Sequence, residues 1–114
     1  MSEARAGTST GTRHALCSVD EIEPGTARRF DIGKLRIALV RCDDDFYAIG
    51  DRCTHADYSL AEGDVYCDER ELECWKHGST FSLVTGEPQS LPATRPTPVY
   101  EVEVVDGQVW VTLP

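Results

Sequence analysis

Cys53-Thr-His55 and Cys74-Trp-Lys-His77 constrain this 114-residue chain more than any other feature, with eighteen residues lying between His55 and Cys74. Each phrase supplies one thiolate and one imidazole. Four soft or borderline ligands on two short loops indicate a metal site. Such a site requires a fold that brings two loops face to face, and the pairing of one Cys with one His in each phrase says how. If the loops oppose each other, both sulfurs meet one metal and both imidazoles a second.

The rest of the chain offers a β-rich frame for such loops. From His14 onward, short apolar runs are broken by turn residues every eight to twelve positions, and no stretch keeps helical periodicity. Ser18 with Glu21 at the third position suits a single capped helical turn, and Pro24-Gly25 a reversal. Strands are predicted over 28–32, 35–40 and 46–49, with Asp43-Asp44-Asp45 joining the last two. A closing hairpin over 99–105 and 109–113 turns at Asp106-Gly107. Between Gly50 and Pro92 the texture changes: a short hairpin is expected around Asp68 to Arg70, and another short pair beside Thr85-Gly86. The fold class is therefore all-β, a small antiparallel sandwich or partial barrel. Residues 1–13 read as a flexible tail, and 14–114 as one domain with a cluster-binding subdomain at about 50–92.

Composition narrows the function. Eleven basic against twenty acidic residues give a formal charge of −9, which carries no basic nucleic-acid footprint and favours a basic partner. Met1 to Arg13 holds no apolar run, and no segment is long and apolar enough to span a bilayer, so a cytoplasmic protein is expected. The five cysteines are odd in number and irregularly spaced. Cys17, Cys42 and Cys67 are accordingly read as small buried or strand-edge residues of a reduced protein, not as a disulfide framework.

The two ligand phrases resemble those of a Rieske-type ferredoxin, and the resemblance covers roughly residues 15 to 113. It implies a Rieske 2Fe–2S cluster, in which two His replace two Cys on one iron. Cys53 and Cys74 would hold the inner iron, with His55 and His77 on the outer one. Neutral imidazoles leave the oxidised site near zero charge instead of near −2. Rieske potentials are accordingly higher than those of plant-type ferredoxins, roughly −150 to +300 mV against about −400 mV.

High-potential members of the family carry two further cysteines, joined as a disulfide, where this chain has Tyr58 and Lys76. They also carry a Tyr that donates to a Cys sulfur where this chain has Phe81. Ser79 retains the hydroxyl aimed at a bridging sulfide, and Gly78 lets the backbone turn beside the ligand His. Residues 88–92 resemble the proline-containing third loop, and Trp75 and Lys76 would lie near the cluster or its docking face. Fewer hydrogen bonds to sulfur predict the low end of the range.

The resemblance implies a one-electron carrier between a flavin-containing ferredoxin reductase and a terminal aromatic-ring oxygenase, monomeric and with no catalytic residue of its own. A mononuclear non-haem iron site needs two His and a carboxylate. The chain has three His, and two belong to the cluster, which leaves only His14. The alternatives are the small subunit of an assimilatory nitrite reductase, a stand-alone Rieske ferredoxin for another redox system, and a structural zinc module. The last lacks the Cys-x₂₋₄-Cys and His-x₃₋₅-His pairs that such modules favour.

Overall fold

The structure is a computed structural model that describes residues 12–52, 58–76, 78–91, 93 and 95–113. Its described strands form two antiparallel sheets. The larger is a curled half-barrel of β1 (Thr12–Ser18), β2 (Thr26–Ile32), β3 (Leu35–Cys42), β4 (Asp45–Gly50), β8 (Val99–Val105) and β9 (Gln108–Leu113), ordered β1-β9-β8-β4-β3-β2. The smaller runs β5 (Val65–Tyr66), β6 (Glu71–Glu73), β7 (Thr80–Ser82). The chain leaves the large sheet after β4 and rejoins it at β8, which pairs with β4 through Ala48 opposite Tyr100 and Ile49 opposite Val99. The small sheet is thus an excursion between two neighbouring strands.

The run Leu35–Cys42 explains how the two sheets become one body. Ile37, Ala38, Leu39 and Val40 are all fully buried, so β3 is covered on both faces instead of one. Ile37 and Leu39 pack with Ile22, Val109, Val111 and Leu113 inside the curled sheet. Ala38, Val40 and Cys42 face the other way, onto Leu60, Leu72, Phe81 and Leu83 of the excursion. Period-two side-chain alternation sends adjacent residues of one strand into two different cores.

β1 begins at Thr12, within the segment the sequence assigns to a tail, and continues to Ser18. Its register against β9 shifts between Ala15 and Cys17. That irregularity breaks the alternation by which a strand is recognised, so a paired strand reads as an unpatterned lead-in. After it, the Glu21 carboxylate accepts from the Ser18 amide at 3.1 Å and hydroxyl at 3.2 Å, the reach-back half of a capping box. Asp106 (φ 51°) and Gly107 (φ 77°) make the predicted tight reversal between β8 and β9.

One expectation is overturned. Cys42 and Cys67 are joined by a disulfide, with Cα atoms 5.5 Å apart across 25 residues of sequence. Cys42 ends β3 in the large sheet, while Cys67 opens the turn between β5 and β6. The bridge staples the two sheets at one corner, a proximity that tertiary packing creates and spacing does not encode. Arg70 secures the same corner by donating to the Tyr47 hydroxyl at 3.0 Å, to Asp45 at 3.2 Å and to the Cys67 carbonyl. Of the three cysteines read as small apolar residues, Cys17 is buried and free.

Candidate metal centre

Cys74 follows β6, and the loop it begins is tied back at both ends. Its amide donates to the Ser79 carbonyl at 2.7 Å, and its carbonyl accepts from the Gly78 amide at 2.9 Å. So tight a return needs a left-handed residue, and Gly78 has φ +78°. The Cys74 side chain is fully buried and forms no disulfide.

Ser79 is also fully buried, and its Oγ accepts the Ala93 amide at 3.0 Å. That bond uses an oxygen lone pair and leaves the hydroxyl proton for another acceptor. The segment after β7 runs back along the same loop. Pro88 bridges to Phe81, Gln89 donates to the Thr80 carbonyl at 2.6 Å, and Ser90 Oγ accepts the Thr80 amide at 3.0 Å. The described part of the expected third loop therefore lies against the second; Pro92 lies outside the described residues.

The loop holding the first phrase is gathered at its base by Asp51, which sequence reasoning did not single out. Arg52 bridges to Ser59. The buried Asp51 carboxylate accepts the Ser59 hydroxyl at 2.5 Å and the Ala61 amide at 2.8 Å, while its carbonyl accepts the Leu60 amide at 2.5 Å. Just beyond the phrase, Tyr58 meets the edge of Trp75 with ring centroids 5.2 Å apart and planes at 81°. Lys76 Nζ stands 5.9 Å and 5.8 Å from the Tyr58 and Trp75 ring centres. Tyr58 lies three residues after His55, and Trp75 directly follows Cys74, so the flanks of the two phrases are in contact.

Of the sequence-predicted site residues, Cys74, Gly78 and Ser79 are brought together as one closed turn. Cys53, His55 and His77 lie outside the described residues. Phe81, where high-potential relatives need a Tyr hydroxyl, is fully buried in the core beneath the loop. Trp75 is half exposed, with 49% of its surface open, so it is not a core residue. A buried free thiol, a buried hydroxyl and two loops whose flanks touch fit a cluster held by cysteine thiolate with a hydroxyl donor beside it.

Comparison with known proteins accords with this. Residues 12–101 match the family described as the Rieske [2Fe–2S] domain. The chain is 43% identical over 97 residues to ferredoxin CarAc of Metapseudomonas resinovorans, covering 84% of this chain and 89% of that one. It superposes on the ferredoxin of carbazole 1,9a-dioxygenase from Nocardioides aromaticivorans IC177 with a TM-score of 0.85. That match has 31% identity and covers 90% of this chain and 98% of the other. A second solved structure is a complex of reduced oxygenase and oxidised ferredoxin in carbazole 1,9a-dioxygenase. It matches with a TM-score of 0.81 and 42% identity, over 88% and 92% of the two chains. The family match and the relatives imply a Rieske-type 2Fe–2S cluster as the cofactor, and the chain belongs to the Rieske [2Fe–2S] domain family.

Proposed function

We propose that this protein is the ferredoxin component of an aromatic-ring dioxygenase system, passing single electrons from a flavin-containing reductase to a terminal non-haem iron oxygenase. The observation that carries this reading is the likeness, over nearly the whole chain, to ferredoxins of carbazole dioxygenase, one of them solved with its oxygenase. Relatives that share two fifths of the sequence are dioxygenase ferredoxins, which favours this role over a nitrite reductase subunit.

Within the site, Cys53 and Cys74 are assigned to one iron and His55 and His77 to the other. When bound, the cluster supplies one-electron storage at a potential set by its ligands and their hydrogen bonds. The protein's own residues position it. Asp51 gathers the first loop, Gly78 closes the second, and the Ser79 hydroxyl, whose oxygen accepts the Ala93 amide, keeps its proton for an acceptor such as a cluster sulfur. Trp75 and Tyr58 set two aromatic rings in edge contact beside the two loops. The protein acts as a monomer in the cytoplasm; no helix among the described residues is long and apolar enough to cross a membrane. The Cys42–Cys67 bridge is unusual for that compartment. Alkylating the thiols during cell lysis, followed by mass measurement, reports its state there.

The ligand assignment is tested by reconstituting the protein with iron and sulfide and comparing it with Cys74→Ala. The parent should be brown-red and accept one electron; the variant should be colourless. A stable, coloured Cys74→Ala protein would refute the assignment. Efficient reduction of a sirohaem nitrite reductase, with none of a dioxygenase oxygenase, would overturn the partner.

A further inference from the structure

Strand β6 sends its residues alternately to its two faces. Leu72 and Cys74 are fully buried, while Glu73 between them turns to the opposite face and is only half-buried. Tyr66 of β5 pairs with Glu71, so its ring stands diagonally across from Glu73 on the same face. The Tyr66 hydroxyl donates to Glu73 Oε1 at 2.6 Å, the short length expected of a charged acceptor. That bond, ahead of desolvation, raises the Tyr66 phenol above its ordinary pKa, so the proton stays on the phenol. The other carboxylate oxygen lies over the closing turn of the Cys74 loop. A Cβ built on Gly78 would stand 3.4 Å from Glu73 Oε2.

Among the described residues Glu73 forms no ion pair, and the two cations closest to it in sequence are engaged elsewhere. Arg70 donates to Tyr47, to Asp45 and to the Cys67 carbonyl. Lys76 Nζ stands 5.9 Å and 5.8 Å from the ring centres of Tyr58 and Trp75. The further charges that act on Tyr66 are Asp64 and Glu69, both acidic. A neutral hydroxyl thus orients this carboxylate and leaves its negative charge in place.

We propose that Glu73, oriented by Tyr66, lowers the potential of the cluster by standing as a fixed negative charge against the Cys74 loop. Reduction takes one electron from the reductase and moves no proton at Glu73. The reduced site therefore holds one more negative charge than the oxidised site, and Glu73 repels it. The effect acts through space, in addition to the hydrogen bond to sulfur that Phe81 does not give. It makes the loaded carrier a stronger donor to its acceptor. The inference rests on the carrier role and the ligand assignment proposed above.

The test compares the parent, Glu73→Gln, Tyr66→Phe and the double variant, each reconstituted with iron and sulfide and read by voltammetry. Gln keeps an acceptor for Tyr66 and removes the charge, so Glu73→Gln should retain the parent's visible spectrum and iron content. Its reduction equilibrium should shift toward the reduced form by about threefold at low salt, roughly 30 mV upward at 59 mV per tenfold change for one electron. The shift should shrink at about 1 M salt, where the screening length is about 3 Å. Tyr66→Phe releases the carboxylate to solvent. It should shift the equilibrium the same way by less, and add nothing to Glu73→Gln. A parental potential in Glu73→Gln, or a shift that salt leaves untouched, overturns the proposal, while a coloured, reducible parent keeps the carrier role. A Tyr66→Phe protein at the parent's potential overturns Tyr66 as the orienting residue. Should Glu73→Gln load no cluster, Tyr66→Phe decides alone: an upward, salt-sensitive shift supports the proposal and a parental potential overturns it. A colourless parent overturns the carrier role and this inference together.

Discussion

At the scale of single residues, the site's potential depends on which hydroxyls reach sulfur. Phe81 offers none, and the Tyr58 and Lys76 positions carry no disulfide, so Ser79 is the one donor retained from the high-potential pattern. Its Oγ already accepts the Ala93 amide, which fixes the direction left for its proton. Ser79→Ala should lower the midpoint potential by on the order of 50 mV. That value follows from one net hydrogen bond of about 1 kcal/mol at 59 mV per tenfold change for one electron. An unchanged potential in voltammetry would remove Ser79 from the site. Gly63 tests a different constraint, close approach instead of a left-handed backbone. A Cβ there would fall 1.6 Å from the Glu73 carbonyl oxygen, on the strand that delivers Cys74. Gly63→Ala should destabilise the fold by about 3 kcal/mol and reduce iron content, both measurable by urea unfolding and iron assay. A variant with parental iron content and stability would mean that this backbone contact does not position Cys74.

At the scale of elements, the Cys42–Cys67 staple acts on a closed loop that contains β4, the first ligand phrase and β5. Closing 25 residues removes chain entropy from the unfolded state, worth about 3 kcal/mol on the loop-closure account. Cys67→Ser should therefore lower the melting temperature of the cluster-loaded protein by on the order of 10 °C. Added reductant should lower the parent's melting temperature in the same way and leave the variant's unchanged. A parent insensitive to both would show that the corner is held by Arg70 with Tyr47 and Asp45 alone. This element was not legible in the sequence, because Cys42 and Cys67 meet only once β3 and the β5–β6 turn are packed. The strands themselves were legible where alternation or a strong turn marked them, as in 35–40 and around Asp106-Gly107. β1 escaped because its register shift at Ala15/Cys17 hides the pattern. The proposed ligand phrases stand out by residue type and spacing, which need no tertiary information. Asp51 does not, since its role rests on contacts with Arg29, Arg36, Ser59, Leu60 and Ala61 that only the folded chain assembles.

At the scale of the whole molecule, the two cores differ in what they depend on. The core formed by Cys17, Ile22, Ile37, Leu39, Ala48, Val109, Val111 and Leu113 belongs to the curled sheet and its connecting turn. The other takes only Ala38, Val40, Cys42 and Ile49 from that sheet and completes itself with Leu60, Leu72, Cys74, Phe81, Leu83 and Ala93. The small sheet that carries Cys74 has two paired positions between β5 and β6 and three between β6 and β7. So few ladder bonds do not sustain a sheet in water without packing or a bound metal. Removing the iron should therefore loosen the molecule unevenly. Hydrogen exchange on the metal-free protein should show amides of Leu72 and Phe81 losing protection by at least tenfold, while those of Leu39 and Val111 stay near their metal-bound rates. Equal loss in both regions would mean that β3, buried on both faces, couples the cores into one cooperative unit. No loss in either would mean that the small sheet stands without its cluster, and that packing on Val40 and Ile49, with the disulfide beside them, suffices to hold the Cys74 loop in place.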